Sequence, residues 1–491
     1  SASLLLVLLL PLLAFSLPNP ANSRADDETS QNDDLAYMRG KLSAIGKKAN
    51  DQIKKQEGKR SFAIRTFIDN ILKKEGKRVH VAVLKSGDDV ASVNEIAGVS
   101  GGFYGGDIVL TREQTDLIIS AEEGNDTSSE TGAEVRKRRQ AYRDYLYPNT
   151  IWSTGLFYYF DSTSKGTHVE TVARRAIKLW SENTCINFYE STTASQKVVI
   201  TRGTGCHSYV GRSGHATQTL SLGDGCDHVG IALHEFGHAL GFYHEQERYD
   251  RDNSILVQSQ NMQSGTSNNF VRQSESTNYN YGTPYDYGSV MQYRGTAFSS
   301  NGAATMVARD GQQQETLGSY ILSFRDILEM NDHYGCRTRC GNSVQCYYGG
   351  FPHPRNCYTC LCPLGYGGTD CSQRPAICGQ TYAASTYGGS FSGTVGFNSS
   401  TVYDDFDYCI YWIYAPPGMR VKATLSYFKT AHCVGGCTYG GIEFKRESTL
   451  TGPRFCCNTD AGQVIYGSNL MPIIVYQRYN YLQFGITYSV Y

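Results

Sequence analysis

Residues 231–245 of this 491-residue chain read IALHEFGHALGFYHE. If the stretch forms a helix, His234 and His238 lie one turn apart on the same face, where two imidazole nitrogens can bind one metal ion. Gly241 can adopt a positive φ and end the helix, so that the chain turns and His244 supplies a third nitrogen. Three protein ligands leave one position open for water, which is typical of catalytic zinc.

Glu235 directly follows the first of these histidines. This position puts a carboxylate near the open metal position without making it a ligand, as a general base requires. From average residue frequencies, the complete spacing of histidines and glycine arises by chance in about one chain in 10⁵ of this length. The alternative, histidines packed on a helix without a metal, is therefore disfavoured.

The composition narrows the class of protein. A chain of 491 residues exceeds what one hydrophobic core usually serves, so two to four folded units are expected. The 45 basic and 46 acidic residues nearly balance, which argues against binding to nucleic acid. All 16 cysteines lie between Cys185 and Cys457, and this even set predicts disulfides formed in an oxidising compartment.

The first residues support the same compartment. Residues 4–13 form an apolar run of the length of a signal-peptide core, and we expect 1–23 to be a signal peptide whose start is incomplete. No later run approaches the ~20 apolar residues that a membrane-spanning helix needs. The sequence predicts a secreted, extracellular protein without membrane insertion. Asn125 and Asn398 begin possible N-glycosylation triplets.

Residues 24–139 are expected to form a pro-segment. They are charged and free of cysteine, and the apolar positions of 62–72 follow a helical period. The segment ends in the basic block RKRR at 136–139, which suits cleavage after Arg139 by a furin-like protease. A solvated charge run is the alternative interpretation of that block.

Residues 140–337 are predicted to form a mixed α+β domain. Its expected strands are 156–160, 186–189 and 198–201, and its expected helices are 167–182 and 323–334. Residues 338–372 hold six cysteines in a unit too small to be stabilised by apolar burial alone, and their spacing resembles an EGF-like module. Residues 378–491 alternate aromatic and small residues between glycine turns, as an antiparallel β-sandwich does.

The stretch 231–245 resembles the metzincin zinc signature, and Glu245 directly after the third histidine is the astacin family's version of it. The likeness covers 151–336 and includes CHSYVG at 206–211, LSLG at 220–223, ERYDRD at 247–252 and YGSVMQY at 287–293. The resemblance implies a two-lobed protease domain with a mixed β-sheet and an active-site helix. The order of modules, ending in an EGF-like and a CUB-like module, resembles nematode astacins.

The resemblance also implies roles for single residues. Met291 would form the tight turn beneath one Zn²⁺, and Tyr293 would be a switchable fifth ligand that stabilises the transition state. Gln292 stands where the family usually has histidine. Residues 104–107 read YGGD and fit the pro-segment element whose aspartate, here Asp107, occupies the open zinc position. The freed amino terminus would fold toward Glu245.

Disulfide pairs are implied as well. The family pairs Cys185 with Cys336 and Cys206 with Cys226. Three EGF-type bridges would take the cysteines of 338–372, namely Cys340, Cys346, Cys357, Cys360, Cys362 and Cys371. The last module keeps Cys378, Cys409, Cys433, Cys437, Cys456 and Cys457, and the partners of the last four stay open.

The implied function is that of a secreted zinc endopeptidase made as a zymogen, in which zinc polarises the scissile carbonyl and Glu235 transfers protons. Its expected substrates are extracellular proteins of matrix, cuticle or egg envelope, including collagen-like ones. One rival is a catalytically inactive EGF and CUB binding protein, which would keep the fold but lose a zinc ligand or Glu235. Another is a different metzincin branch such as an adamalysin, against which Glu245 and Tyr293 argue.

Calcium is a further possibility in the CUB-like module. Acidic residues that could bind it are Asp404, Asp405 and Asp407. Carboxylates are suitable calcium ligands, but a solvated acidic loop explains these residues equally well.

Overall fold

A computed structural model gives the fold and describes residues 20–78, 87–122, 141–143 and 146–491. Three predicted features lie outside these ranges: most of the signal peptide, Asn125 and the processing site at Arg139.

The helices and strands of the described residues follow in chain order. The helices are α1 (Pro20–Gly58), α2 (Phe62–Glu75), α3 (Val90–Ile96), α4 (Arg112–Glu122), α5 (His168–Asn183), α6 (Val229–Ala239) and α7 (Phe324–His333). The strands are β1 (Ile108–Val109), β2 (Ala141–Tyr142), β3 (Leu156–Phe160), β4 (Phe188–Glu190), β5 (Lys197–Thr201), β6 (Cys206–Tyr209), β7 (Thr217–Leu222), β8 (Ile255–Val257), β9 (Asn278–Tyr279), β10 (Met306–Ala308), β11 (Phe351–His353), β12 (Asn356–Leu361), β13 (Thr381–Ala383), β14 (Gly389–Gly396), β15 (Val402–Tyr414), β16 (Val421–Thr430), β17 (Gly440–Phe444), β18 (Arg454–Phe455), β19 (Val464–Tyr466), β20 (Leu470–Tyr479) and β21 (Tyr481–Val490).

The central domain (140–337) is built on a mixed sheet with the order β1-β6-β7-β5-β3-β4. β6 is antiparallel to β7, and the other neighbouring pairs are parallel. α5 buries its predicted face, which consists of Val169, Val172, Ala173, Ala176, Ile177 and Trp180. The Trp180 indole N–H donates to the Leu233 carbonyl at 3.1 Å. α5 therefore supports α6, the helix that carries the metal motif.

The amino-terminal segment (residues 20–122 as described) packs along the central domain. α2 confirms the predicted amphipathic helix, whereas the 39-residue α1 was not predicted. α1 contributes Met38 and Ile45 to an apolar cluster that includes Tyr209 and Tyr243 of the central domain. β1 adds to the sheet in parallel beside β6. The segment is thus an extension of the central sheet and core.

Two units follow the central domain. The hairpin unit (338–372) pairs β11 with β12. The sandwich (378–491) has two sheets, ordered β13-β15-β20-β17-β18 and β14-β21-β16-β19, which share one apolar core. This strand arrangement is that of the predicted β-sandwich.

All 16 cysteines lie within the described residues and none of them is free. The central domain has Cys185–Cys336 and Cys206–Cys226, as the resemblance implied. The hairpin unit has Cys340–Cys357, Cys346–Cys360 and Cys362–Cys371. The sandwich has Cys378–Cys409, Cys433–Cys457 and Cys437–Cys456, which gives the partners that the sequence left open.

The sandwich docks directly on the central domain. The Arg325 guanidinium donates to Thr449 Oγ1 at 2.9 Å, and the Arg454 amide donates to Thr316 Oγ1 at 3.0 Å. A Cβ added at Gly288 would lie 2.3 Å from Thr451 Cγ2, so only glycine allows this close approach.

Two of the three acidic residues considered for calcium pair with residues of α5. Asp404 Oδ2 lies 3.1 Å from His168 Nε2, and Asp405 Oδ1 lies 2.9 Å from Arg175 Nη2. These side chains therefore link the sandwich to the central domain, and calcium gains no support from them.

Arg355 ties the hairpin unit to the end of α5. Its Nε donates to the carbonyls of Ser181 and Thr184, both at 2.7 Å, and its Nη1 donates to Asn187 Oδ1 at 3.0 Å. A charged donor with several acceptors orients the unit more firmly than neutral hydrogen bonds would.

We expect Arg355→Met to lower the free energy of opening at this contact by about 2 kcal/mol, because hydrogen bonds from a charged group are lost. Faster amide hydrogen exchange in β11 and β12 would report the loss. The control is Arg339→Met, which changes an exposed arginine nearby. Equal exchange in the two variants would contradict the assignment.

Candidate metal centre

Three imidazoles and one carboxylate converge at the end of α6. Gly241 has a φ of +113° and ends the helix as predicted, so that His244 returns toward His234 and His238. The Nε2 atoms of His234 and His238 are 3.0 Å apart. Asp107 Oδ1 lies 3.0 Å from His244 Nε2 and 3.5 Å from His238 Nε2. At most 3% of any of these four residues is exposed.

The outer nitrogen of each ring lies close to an oxygen atom. His234 Nδ1 donates to Val290 O and His238 Nδ1 donates to Phe242 O, each at 2.7 Å. His244 Nδ1 lies 3.2 Å from Glu247 Oε1, as an ion-pair contact without hydrogen-bond geometry. A carbonyl oxygen only accepts, so the Nδ1 atoms of His234 and His238 carry protons. In the neutral rings, both Nε2 lone pairs then point at the centre.

The rings around the centre differ in their electrostatic environment. Burial lowers the pKa of His238 to about 4, which favours the neutral ring. At His244 burial also lowers the pKa, but the charges of Asp107 and Glu247 outweigh it and raise the pKa to about 10. Facing lone pairs at 3.0 Å repel each other unless a positive charge lies between them.

The donor set fits zinc. Four atoms placed tetrahedrally about 2 Å from one ion are roughly 3.3 Å apart. Here the distances from Asp107 to the three histidines and between His234 and His238 run from 3.0 to 3.5 Å, and all four donor atoms lie within 4.8 Å of one another. Asp107 Oδ1 is buried and has no hydrogen-bond partner. Imidazole nitrogen and carboxylate oxygen are both usual zinc ligands.

Glu235 lies on α6 beside His234 and is fully buried. Neither of its carboxylate oxygens has a hydrogen-bond partner among the described residues. Burial raises the pKa of Glu235 well above its usual range, and the negative charge of Asp107 adds to the shift. A divalent cation nearby opposes this shift, because it stabilises the carboxylate. Glu235 is therefore placed to exchange a proton.

Tyr293 borders the same centre. Its ring centroid lies 4.4 Å from that of His244, and its ring stacks on His234 with centroids 5.8 Å apart. Its amide donates to Gln246 Oε1 at 3.0 Å, which fixes the backbone. Burial, with Asp107 second, raises the pKa of the Tyr293 hydroxyl well above its usual range. The hydroxyl therefore keeps its proton and can donate a hydrogen bond.

Met291 packs against the metal helix. A Cβ added at Gly237 would lie 2.5 Å from Met291 Sδ, so the thioether fills the space between the two histidines of α6. The neighbouring Gln292 accepts a hydrogen bond from the Tyr285 hydroxyl and donates to the Tyr293 carbonyl at 2.8 Å. Gln292, which stands where the family usually has histidine, thus hydrogen-bonds to the backbone of Tyr293.

Two glycines deliver Asp107 to the centre. Gly105 and Gly106 have φ values of +63° and +101°. A Cβ at Gly105 would lie 2.8 Å from His244 Nδ1, which leaves no room for a larger residue. The turn is held by Asn94, whose Nδ2 donates to Gly106 O at 3.0 Å and whose Oδ1 accepts from the Cys206 amide at 2.8 Å.

Two supporting residues were missed by the sequence reasoning. Glu247 holds His244, and its position three residues after the last histidine was the available signal. Asn94 lies ten residues before Tyr104 and gave no local signal, because it bridges the turn at Gly106 to Cys206, which lies more than 100 residues away.

Glu245 already has partners in this form of the chain. It accepts from the Asp286 amide at 2.6 Å and pairs with Arg248 Nη1 at 3.2 Å. Nearby, the Tyr142 amide donates to Gly241 O at 2.8 Å. Residues 141–142, the first described residues after Arg139, thus lie against the chain at Gly241, where the helix of the metal motif ends.

Comparisons with known proteins identify similar chains. A family model described as Astacin, a peptidase family, matches residues 144–335. Zinc metalloproteinase nas-31 of Caenorhabditis elegans is 43% identical over 402 residues, which cover 81% of this chain and 65% of that protein. Zinc metalloproteinase nas-27 of the same organism is 31% identical over 420 residues, covering 81% of this chain and 92% of the relative. The chain thus spans slightly less than two thirds of nas-31.

Among solved structures, high choriolytic enzyme 1, a hatching enzyme zinc-protease from Oryzias latipes, is similar. It is 31% identical, with a TM-score of 0.35, and the match covers 40% of this chain and 95% of that one.

We expect Gly237→Ala to weaken zinc binding of the full-length chain by about tenfold or more. The added Cβ would clash with Met291, so α6 or residues 290–292 must shift. Contacts outside the ligands that orient them tune metal affinity. Competition with a chromophoric chelator measures the affinity. The matched control is Gly40→Ala on α1, where an added Cβ meets nothing within 4 Å. Unchanged affinity at Gly237→Ala would contradict the packing role of Met291.

Proposed function

Because this chain belongs to the astacin family of peptidases, we propose that it is a secreted zinc-dependent endopeptidase made as a zymogen. The main support is the convergence of three imidazoles on one buried point, with the outer nitrogens of His234 and His238 hydrogen-bonded to backbone carbonyls. His234, His238 and His244 would hold the ion, and Glu235 lies beside them with no competing hydrogen bond.

The chain's own residues would then carry the proton transfers. When bound, zinc polarises the scissile carbonyl and lowers the pKa of a water molecule beside it. Glu235 takes a proton from that water and later passes it to the leaving amine. The Tyr293 hydroxyl donates a hydrogen bond to the carbonyl oxygen as negative charge develops there.

Asp107 would keep the precursor latent. Its carboxylate contacts all three ligand histidines and is fully buried, so it takes the place that water needs. β1 follows Asp107 directly and fastens this part of the chain to β6. Cleavage after Arg139 by a furin-like protease would allow the amino-terminal segment to leave.

Several observations support secretion and an extracellular substrate. The paired cysteines suit an oxidising compartment. None of the described helices combines the length and apolar character needed to cross a bilayer. Asn398 is exposed and accessible to glycosylation. The hairpin unit would be EGF-like and the sandwich CUB-like, and the substrates would be matrix, cuticle or egg-envelope proteins.

The rival function, an inactive EGF and CUB binding protein, has little support. Such a protein would have lost a ligand or the general base, whereas here all three histidines converge and Glu235 lies beside them. An ordered set of outer hydrogen bonds to the rings would also serve no purpose without a metal.

We expect Glu235→Gln to lower the rate of casein hydrolysis by the processed enzyme about 10²- to 10⁴-fold, because the proton acceptor is lost. Zinc content should be unchanged, since Glu235 is not a ligand. Glu182→Gln, an exposed change on α5, is the control. Phenanthroline should abolish activity and added zinc should restore it. A Glu235→Gln enzyme with the full rate would refute the mechanism.

We expect Asp107→Ala to raise the activity of the unprocessed precursor by at least about tenfold. Losing a buried charged contact strongly shifts the equilibrium between the blocked and the open site toward the open one. Arg139→Ala in both chains prevents processing during the assay. Asp33→Ala, an exposed change on α1, is the control. If the Asp107→Ala precursor were inactive while its processed form was active, the inhibitory role of Asp107 would be refuted.

A further inference from the structure

A buried arginine lies where three parts of the chain meet. Arg78 of the amino-terminal segment is 8% exposed. Its Nη1 pairs with Glu75 at 2.9 Å and also with Glu315 of the central domain. Its Nη2 pairs with Asp460 of the sandwich at 2.7 Å. One guanidinium thus joins the amino-terminal segment, the central domain and the sandwich. In the sequence it precedes Asp107 and is not part of the turn that carries Asp107.

The sandwich side of this contact is rigid. Asp460 is fully buried, and its Oδ2 accepts from the amides of Cys456 and Cys457 at 3.0 and 2.8 Å. Both cysteines are in disulfides, which limits movement of the loop. Asp460 Oδ1 is therefore directed at Arg78 by the sandwich itself. A carboxylate held in this way binds a guanidinium with little loss of side-chain entropy.

A second contact occurs ten residues after Arg78. The Tyr320 hydroxyl of the central domain donates to Asp88 O at 2.7 Å. The Tyr439 hydroxyl of the sandwich donates to Asp88 Oδ1, also at 2.7 Å. Asp89 adds an ion pair with Arg294 at 2.8 Å. The sandwich therefore contacts the amino-terminal segment at two places.

These contacts lead to the metal centre. Asp89 caps α3, and its side chain accepts from the Ser92 amide at 3.1 Å. Asn94 on α3 holds Gly106 O, one residue before Asp107. Loosening the chain at Asp88 therefore loosens the support of α3 and of the turn that carries Asp107. Arg78 bears on Asp88 through the sandwich, which contacts both residues.

We propose that Glu315 and Asp460 form a guanidinium-binding site, built jointly by the central domain and the sandwich, whose ligand is Arg78. Through this site and Tyr439, the sandwich takes part in holding Asp107 against the metal ligands. Arg78 lies among three carboxylates, and a buried charge left without its partner is strongly unfavourable. The consequence for latency rests on the proposed zymogen function, whereas the binding site itself does not.

Hydrogen exchange on the full-length precursor tests the site without any catalysis. All chains carry Arg139→Ala to prevent processing. We expect Arg78→Met to raise the exchange rate of amides in α2 and in residues 104–109 by roughly tenfold or more, because a buried ion pair is broken. The matched control is Lys77→Met, which removes an exposed cation one residue away and should change neither region.

Variants in the sandwich show how much of the stabilisation of the amino-terminal segment comes from the sandwich and how much from the central domain. Tyr439→Phe removes only a hydroxyl and should raise exchange at 104–109 a few-fold. In a chain that already carries Asp460→Asn, Arg78→Met should raise exchange by less than it does alone, because the pair with Asp460 is already lost while those with Glu75 and Glu315 remain. Tyr439→Phe also keeps the test open if Asp460→Asn fails to fold.

Two results would overturn the proposal. One is equal exchange in Arg78→Met and Lys77→Met. The other is a combination of results: Arg78→Met speeds exchange, Tyr439→Phe changes nothing, and the effects of Arg78→Met and Asp460→Asn on exchange are fully additive. That combination would exclude the sandwich from holding the amino-terminal segment. Peptidase activity is measured separately: altered exchange in a chain whose processed form never cleaves casein would count against the proposed function and leave the guanidinium site in place.

Discussion

The centre of this protein depends on the close, buried approach of donor groups that repel one another unless a positive charge lies between them. His234 and His238 direct unprotonated nitrogens at each other across 3.0 Å, with the Asp107 carboxylate beside them. In water such groups would take up protons or move apart. Here they are buried, and backbone carbonyls hold the outer nitrogens, so the rings cannot rotate away without losing hydrogen bonds.

The surrounding fold serves to keep that arrangement. α5 supports α6 through Trp180, and Met291 fills the space against Gly237 on the other side. Val290, next to Met291, supplies the carbonyl for His234. Packing and ligand orientation are thus provided by the same few residues, which explains why a central domain with irregular loops can hold a precise site.

Sequence reasoning succeeded where the signal was local. The spacing in 231–245 predicted the helix, the break at Gly241 and the three converging rings, because helix geometry relates these positions directly. The periodic apolar face of α5 was predicted for the same reason. α1 was missed although its buried residues Met38, Leu42, Ile45, Ala49 and Ile53 recur at intervals of three and four, because this narrow apolar stripe lies in a strongly charged segment.

Contacts between distant parts of the chain could not be predicted. Adjacent Cys456 and Cys457 allow more than one pairing, and the choice depends on how the strands of the sandwich meet. Asp404 and Asp405 formed an acidic pattern suggestive of calcium, but their partners on α5 lie over 200 residues away. Local sequence contains no information on such partners.

The parallel pairing of β1 with β6 has a consequence for the proposed processed chain, which lacks the amino-terminal segment. In that chain β6 would be an edge strand, with unpaired amide and carbonyl groups beside the three histidines. Such an edge favours polypeptides that can be drawn out straight over those that stay folded. Main-chain accessibility of the target, more than its side chains, would then govern which proteins are cut.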